Sequence, residues 1–144
     1  MRLSQRLQVV VLVGVVLVLL LACGSVRNAA DRAKRSNRLK AVGLAYINYC
    51  DDNRGEGPAG PADLQKYVSE FPEVSQALQN GDIVVYWNIR VPADLLQQGT
   101  SNTVLAYEKD VPAKGGMVLM ADGSVREMTA QEFQTAPKAA PAVK

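Results

Sequence analysis

Residues 7–52, LQVVVLVGVVLVLLLACGSVRNAADRAKRSNRLKAVGLAYINYCDD, decide the fold, because an apolar run passes without a break into a long amphipathic helix. Between positions 7 and 23 the one polar side chain is Gln8. Seventeen helical residues reach about 25 Å, slightly short of a hydrocarbon core of roughly 30 Å. The length suits a short membrane span or the apolar part of an export signal, which needs about 7–15 residues. A buried globular helix is disfavoured: the run has no polar face, and no soluble core of this size could wrap it on all sides. This end of the chain is therefore read as bound for a membrane.

Arg2 and Arg6 precede the run as the basic start of a signal, and Leu20-Leu21-Ala22-Cys23-Gly24-Ser25 closes it. That ending resembles a bacterial lipoprotein box, in which the Cys thiol is acylated and the chain is cut before it. The resemblance implies lipidation at Cys23, where acyl chains would supply the two or more anchors that stable attachment needs. The alternative is an uncleaved anchor that happens to contain a Cys. Arg27, Arg32, Lys34, Arg35, Arg38 and Lys40 follow the run and outnumber the basic groups before it. The positive-inside rule would hold that side in the cytoplasm, although a cleaved export signal is less bound by it than a true span.

Positions 24–38 read as a polar helical stalk, with Arg27–Asp31 and Asp31–Arg35 at i,i+4 spacing and only alanines behind. From Leu39 an apolar stripe begins: Leu39, Val42, Gly43, Tyr46, Ile47 and Cys50 recur at helical spacing. Asp51-Asp52-Asn53-Arg54-Gly55 ends the helix, since Asn and Gly accept the left-handed conformation of a cap. The chain thus divides into a signal or anchor (1–23), a stalk (24–38), a globular domain (39–135) and a disordered Ala-Pro-Lys tail (136–144).

Within the domain, positions 57–61 are a loop, and short helices are expected from Pro61 to Tyr67 and from Pro72 to Leu78. Positions 82–89, with Ile83, Val84, Val85, Tyr86 and Trp87 in succession, are the clearest strand, and 103–108 a second. Positions 116–121 and 124–128 are two more, joined at Asp122-Gly123. That dipeptide predicts a type I′ hairpin with positive φ at both residues. Thr129-Ala130-Gln131-Glu132 has capping-box spacing and opens a last short helix near Phe133. A long helix followed by strands, loops and a hairpin is an α+β layout.

Chemistry finds little footing. The 144 residues contain no histidine, so the commonest general base and transition-metal ligand are both missing. Cys50 lacks a partner base, and Cys23 and Cys50 would lie about 40 Å apart on one helix, far beyond disulfide reach. Cys50 therefore reads as a small core residue, with a cross-link to another copy as the alternative. Glu108 and Asp110, two apart, read as solvent-face carboxylates. Asp51, Asp52, Asn53 and Glu56 fail the EF-hand pattern, because Glu56 holds the position that needs Gly. Trp87 with Tyr86 reads as sheet core and sheet surface. No catalytic, metal or cofactor residues are assigned. Net charge is +2 with the basic groups gathered in the stalk, so nothing argues for nucleic acid; anionic headgroups are the nearer partner.

Two blocks, read together, resemble a known group. Positions 103–110 (TVLAYEKD), Gly115-Gly116, 118–125 (VLMADGSV) and 129–133 are similar to the C-terminal module of prepilin-like proteins with a His-x9-Asp-Gly signature. Positions 37–53 (NRLKAVGLAYINYCDDN) are similar to the helix that follows the anchor in those proteins. The resemblance implies a pilin-like fold, with one long N-terminal membrane-anchoring helix on a small antiparallel sheet. It further implies a non-catalytic, pseudopilin-like component of the bacterial cell envelope, exported and acting through pseudopilin or type II secretion partners. Two departures bear on that. The signature His position is Pro112, and the prepilin peptidase site is missing, with Val15 after Gly14. The alternative is a stand-alone lipoprotein that binds a ligand or partner and has no link to secretion.

Overall fold

The computed structural model describes the backbone of residues 2–97 and 99–141 and the side chains from Arg27 onward. Helix α1 spans Arg2–Asp52. The chain divides into two compact units, Met1–Lys34 and Arg35–Lys144. The apolar run at 7–23, with Cys23, lies outside the residues whose side chains are described; among those that are, no helix is long and apolar enough to cross a membrane.

The second unit begins at Arg35 rather than at position 39. It carries α2 (Pro61–Leu64), α3 (Pro72–Gln79), β1 (Ile83–Val85), a 3-10 turn (Ala93–Leu95) and β2 (Val104–Glu108). After these come α4 (Val111–Lys114), β3 (Gly116–Met120), β4 (Val125–Met128) and α5 (Ala130–Thr135). The four strands form an antiparallel meander in the order β1-β2-β3-β4.

The C-terminal part of α1 lies over one face of this sheet. Leu39, Val42, Ala45, Tyr46 and Cys50 are buried against Ile83, Val85, Leu105, Met117 and Leu119 in one core. Gly43 is where the helix comes closest, since a Cβ there would stand 3.0 Å from Leu119 Cδ1. A mid-helix Gly costs roughly 1 kcal/mol in propensity relative to Ala, which the close approach offsets. Ile47, expected in the stripe, is only half-buried, while Ala45 is fully covered.

Both faces of the sheet are covered, which the layout read from the sequence did not include. Every residue of β3 is buried, as its unbroken MVLM run permits. Met117 and Leu119 face α1, whereas Val118 and Met120 join Val104, Val111 and Phe133 in a second, smaller core. Val104 serves the smaller core, and a bulge between Val104 and Ala106 then lets two consecutive residues, Leu105 and Ala106, both face the larger one.

Three local expectations are corrected. The strand at 82–89 ends at Val85, and Asn88 stands at φ 61 where its N–H donates to Pro58 O. Ile89 turns inward instead, its N–H donating to the Tyr46 hydroxyl at 3.0 Å while that hydroxyl donates back to the Ile89 carbonyl at 3.1 Å. The hairpin turn is not type I′: Gly123 alone is left-handed, at φ 85. Its N–H donates to Met120 O and the Met120 N–H to Ser124 O, which makes a three-residue loop closed by a bulge glycine. Asp122 instead folds its carboxylate over the turn, accepting from the Ser124 N–H at 2.9 Å and the Ser124 hydroxyl at 2.6 Å. Finally, positions 137–139 of the tail expected to be disordered run along the start of β2. The Val104 N–H donates to Pro137 O, the Ala139 N–H donates to Val104 O, and Ala139 is buried.

Two substitutions in a fragment spanning residues 35–144 test this account. Tyr46→Phe keeps the ring but orphans the buried Ile89 N–H, and should lower unfolding stability by about 1–3 kcal/mol in denaturant titration. Gly123→Val meets no neighbouring atom yet forces a β-branched residue to positive φ, costing about 1–2 kcal/mol, whereas Gly123→Asn should cost distinctly less. Equal melting of the Val and Asn variants would refute the turn geometry.

Candidate functional site

A charge cluster of the second unit joins α1 to the sheet at the end of β2. Glu108 has the same parity as Ala106 and therefore faces α1, not solvent; its side chain is 13 % exposed. Arg35 holds it bidentately: Nε donates to Oε1 at 2.7 Å and Nη2 donates to Oε2. The Met117 N–H, one strand over, donates to Oε2 at 3.0 Å. One turn along α1, Arg38 Nη2 stands 3.8 Å from Oε1. Charge-assisted forks of this kind are the stronger class of hydrogen bond.

The local sequence makes room for this arrangement. Gly116 has no side chain where a Cβ would stand 3.0 Å from Arg35 Nη2 and 3.1 Å from Glu108 Oε2. Gly115 adopts φ 73, and a Cβ there would run into the Met128 carbonyl at 2.6 Å. The Gly115-Gly116 pair thus turns the chain from α4 into β3 and admits the guanidinium. Pro112, ten residues before Asp122, lies exposed in the first turn of α4. Asp110, expected to share a face with Glu108, instead precedes α4 and pairs with Lys114 at 3.2 Å on the surface.

Burial alone would push the Glu108 carboxyl up. The Arg35 hydrogen bonds, the Met117 N–H and the charges of Arg35 and Arg38 outweigh it and hold the group below the ordinary carboxylate range. The other buried titratable groups are likewise set for structure. Tyr46 is raised well above a free phenol by burial, and burial also raises the Cys50 thiol, which leaves it a poor nucleophile and out of reach of a second copy. Asp52, in the stretch weighed for Ca²⁺, accepts from the Tyr67 hydroxyl at 2.7 Å and from Lys66 at 3.3 Å. Among the described residues no group of three His, Cys, Asp or Glu could hold a metal ion.

Two open clefts flank the Arg35–Glu108 pair, each of about 500 Å³. One runs past Arg38, Asp82 and Lys109, the other past Glu127, Thr129 and Glu132; Arg35, Lys114 and Gly115 line both. Of the residues singled out from sequence, Asp122 and Gly123 sit at the β3–β4 turn, and neither lines these clefts. Sequence reasoning missed the Arg35–Glu108 pair, whose partners are 73 positions apart. The signal that could have found it is parity: Glu108 lies in phase with the inward Ala106, and Arg35 lies one helical turn before Leu39.

Glu108 should make folding acid-sensitive. Its folded pKa lies below its unfolded value of about 4.3, so its contribution is complete above that value and disappears as pH falls through the lowered one. Glu108→Gln should cost about 1–3 kcal/mol at pH 7. The gap between wild type and variant should shrink as the medium is acidified below pH ~4; a gap that stays constant under acidification would show that the carboxylate charge is not what matters. No family model, curated protein sequence or solved structure matches this chain.

Proposed function

We propose that the chain is a non-catalytic, membrane-anchored, pseudopilin-like protein of the bacterial cell envelope. Its exported domain acts through protein contacts in secretion or surface assembly. The observation that carries this reading is the use made of α1. One helix, beginning at Arg2, supplies five buried residues to the core of a four-stranded antiparallel meander through its C-terminal turns. A helix that is both the sequence's apolar N-terminal run and the domain's packing layer suits a protein held at a membrane by its first residues. The resemblance of positions 37–53 and 103–133 to prepilin-like proteins supports the same reading.

Its surface also supports contact rather than catalysis. The buried ionisable groups are engaged in holding α1 to the sheet, and the clefts beside them are open and charged. Small-molecule sites are mostly concave and apolar, so this surface better suits the side chains of a partner protein.

Anchor and partners can be tested in one experiment on detergent-solubilised membranes. The wild type should incorporate an alkyne palmitate analogue and co-purify with pseudopilins or secretion-channel components. Cys23→Ser should lose the label, and with it membrane retention if the lipid is the anchor. Labelling of Cys23→Ser equal to wild type refutes lipidation there. Elution of the labelled wild type without any envelope protein favours the stand-alone lipoprotein instead.

A further inference from the structure

The cleft between α1 and the turn from β2 into α4 holds an uneven set of charges. Arg35, Arg38, Lys109 and Lys114 line it against Asp82, Glu108 and Asp110. Each carboxylate already has its own cation: Glu108 has Arg35, Asp82 has Lys109, and Asp110 has Lys114. Glu108 is further occupied, since its two oxygens already receive two Arg35 donors and the Met117 N–H. Arg38 is the cation left over. Its nearest carboxylate oxygen is 3.8 Å away, beyond hydrogen-bond length, and its Nε is buried without a partner. Burial of Nε constrains the plane of the guanidinium, while the Arg38 side chain as a whole is still 29 % exposed. The result is a preset, planar donor in a cleft with one surplus positive charge.

We propose that this cleft is a docking point for a carboxylate side chain of an acidic segment on a partner protein, received by Arg38. This deepens the reading above and rests on it, because it names the chemistry of the partner. A guanidinium offers a carboxylate two parallel N–H donors, which an ammonium cannot. The cleft is open and seven of its eight lining residues are charged, with no apolar side chain among them to enclose a small metabolite, so the carboxylate comes on a protein surface. A pair at such a rim sets register and partner choice more than raw affinity.

The test uses full-length protein in detergent micelles, titrated with a blocked hexaglutamate peptide and separately with glutarate. Amide resonances of Glu108 and Met117 and the Arg38 Nε–H resonance report binding. The peptide should bind saturably in roughly the millimolar range and weaken with added salt. Arg38→Gln should weaken it about tenfold or more, Arg38→Lys less, and Lys40→Gln, exposed on the same helix, not at all. Wild-type affinity in Arg38→Gln, or no saturable shift in the wild type, overturns the proposal. Glutarate binding as tightly as the peptide overturns the assignment to a protein partner. If Arg38→Gln fails to show the wild-type melting transition, the Lys variant decides, because unchanged affinity there removes the fork from the argument. Should the peptide fail while the anchored protein still co-purifies with secretion components, this inference falls and the broader reading stands.

Discussion

The constraint on which the rest of this domain depends is the contact between one face of α1 and the centre of the sheet. Strands β2 and β3 place Leu105, Ala106, Met117 and Leu119 on the same face, and four short strands cannot cover that face themselves. The helix supplies Leu39, Val42, Ala45, Tyr46 and Cys50, each with an exposure of 2 % or less. Burying a Leu or Val in this way contributes about 1.5–3 kcal/mol, a large share for a domain whose net stability is only about 5–15 kcal/mol. Gly43 over Leu119 fixes how near the helix can come, and Tyr46 bonded to Ile89 fixes where along the sheet it stops.

Hydrophobic contact is non-directional, and the Arg35–Glu108 fork provides direction at the other end of the contact. A charge pair across a helix–sheet seam has a narrow range of geometries, and the Met117 N–H ties it to β3 as well as β2. With Arg35 half-exposed, its energetic contribution is modest. Its consequence is orientational: Tyr46 and Arg35 lie eleven residues apart on α1, so together they fix both position and rotation of the helix. The glycines at 115 and 116 belong to the same device, because a side chain at 116 would occupy the guanidinium's place.

Elements set by local chemistry were legible in the sequence. The capping box at Thr129 and Glu132 forms as spaced, with the Thr129 N–H donating to the Glu132 carboxylate at 2.7 Å. The end of α1 comes with Arg54 and Gly55 left-handed, and α3 opens at Pro72. What escaped depended on partners far away in the chain. The strand at 82–89 has high β propensity throughout, yet Tyr46 and Pro58 claim the backbone of Ile89 and Asn88 and end it early. Asp-Gly favours a two-residue turn, but the Asp122 carboxylate found the Ser124 N–H and hydroxyl and made a longer one. Arg35 and Arg38 look like stalk residues because neighbours on the helix are polar; only the register of β2 shows that Glu108 awaits them.

That last point bears on the proposal of an exported, membrane-anchored domain. Six basic residues follow the apolar run, and by the positive-inside rule they weigh against export of the domain. Arg35 and Arg38, however, belong to the folded unit that starts at Arg35, and both lie beside Glu108. A charge paired inside a folded domain, as Arg35 is with Glu108, is not the free juxtamembrane charge that the rule counts. Arg27, Arg32, Lys34 and Lys40 lie on the exposed surface of α1, with Asp31 among them at i,i+4 from Arg27. The opposing bias is smaller than the sequence suggests by the charge of Arg35, which eases the conflict between the proposed export of the domain and its basic segment.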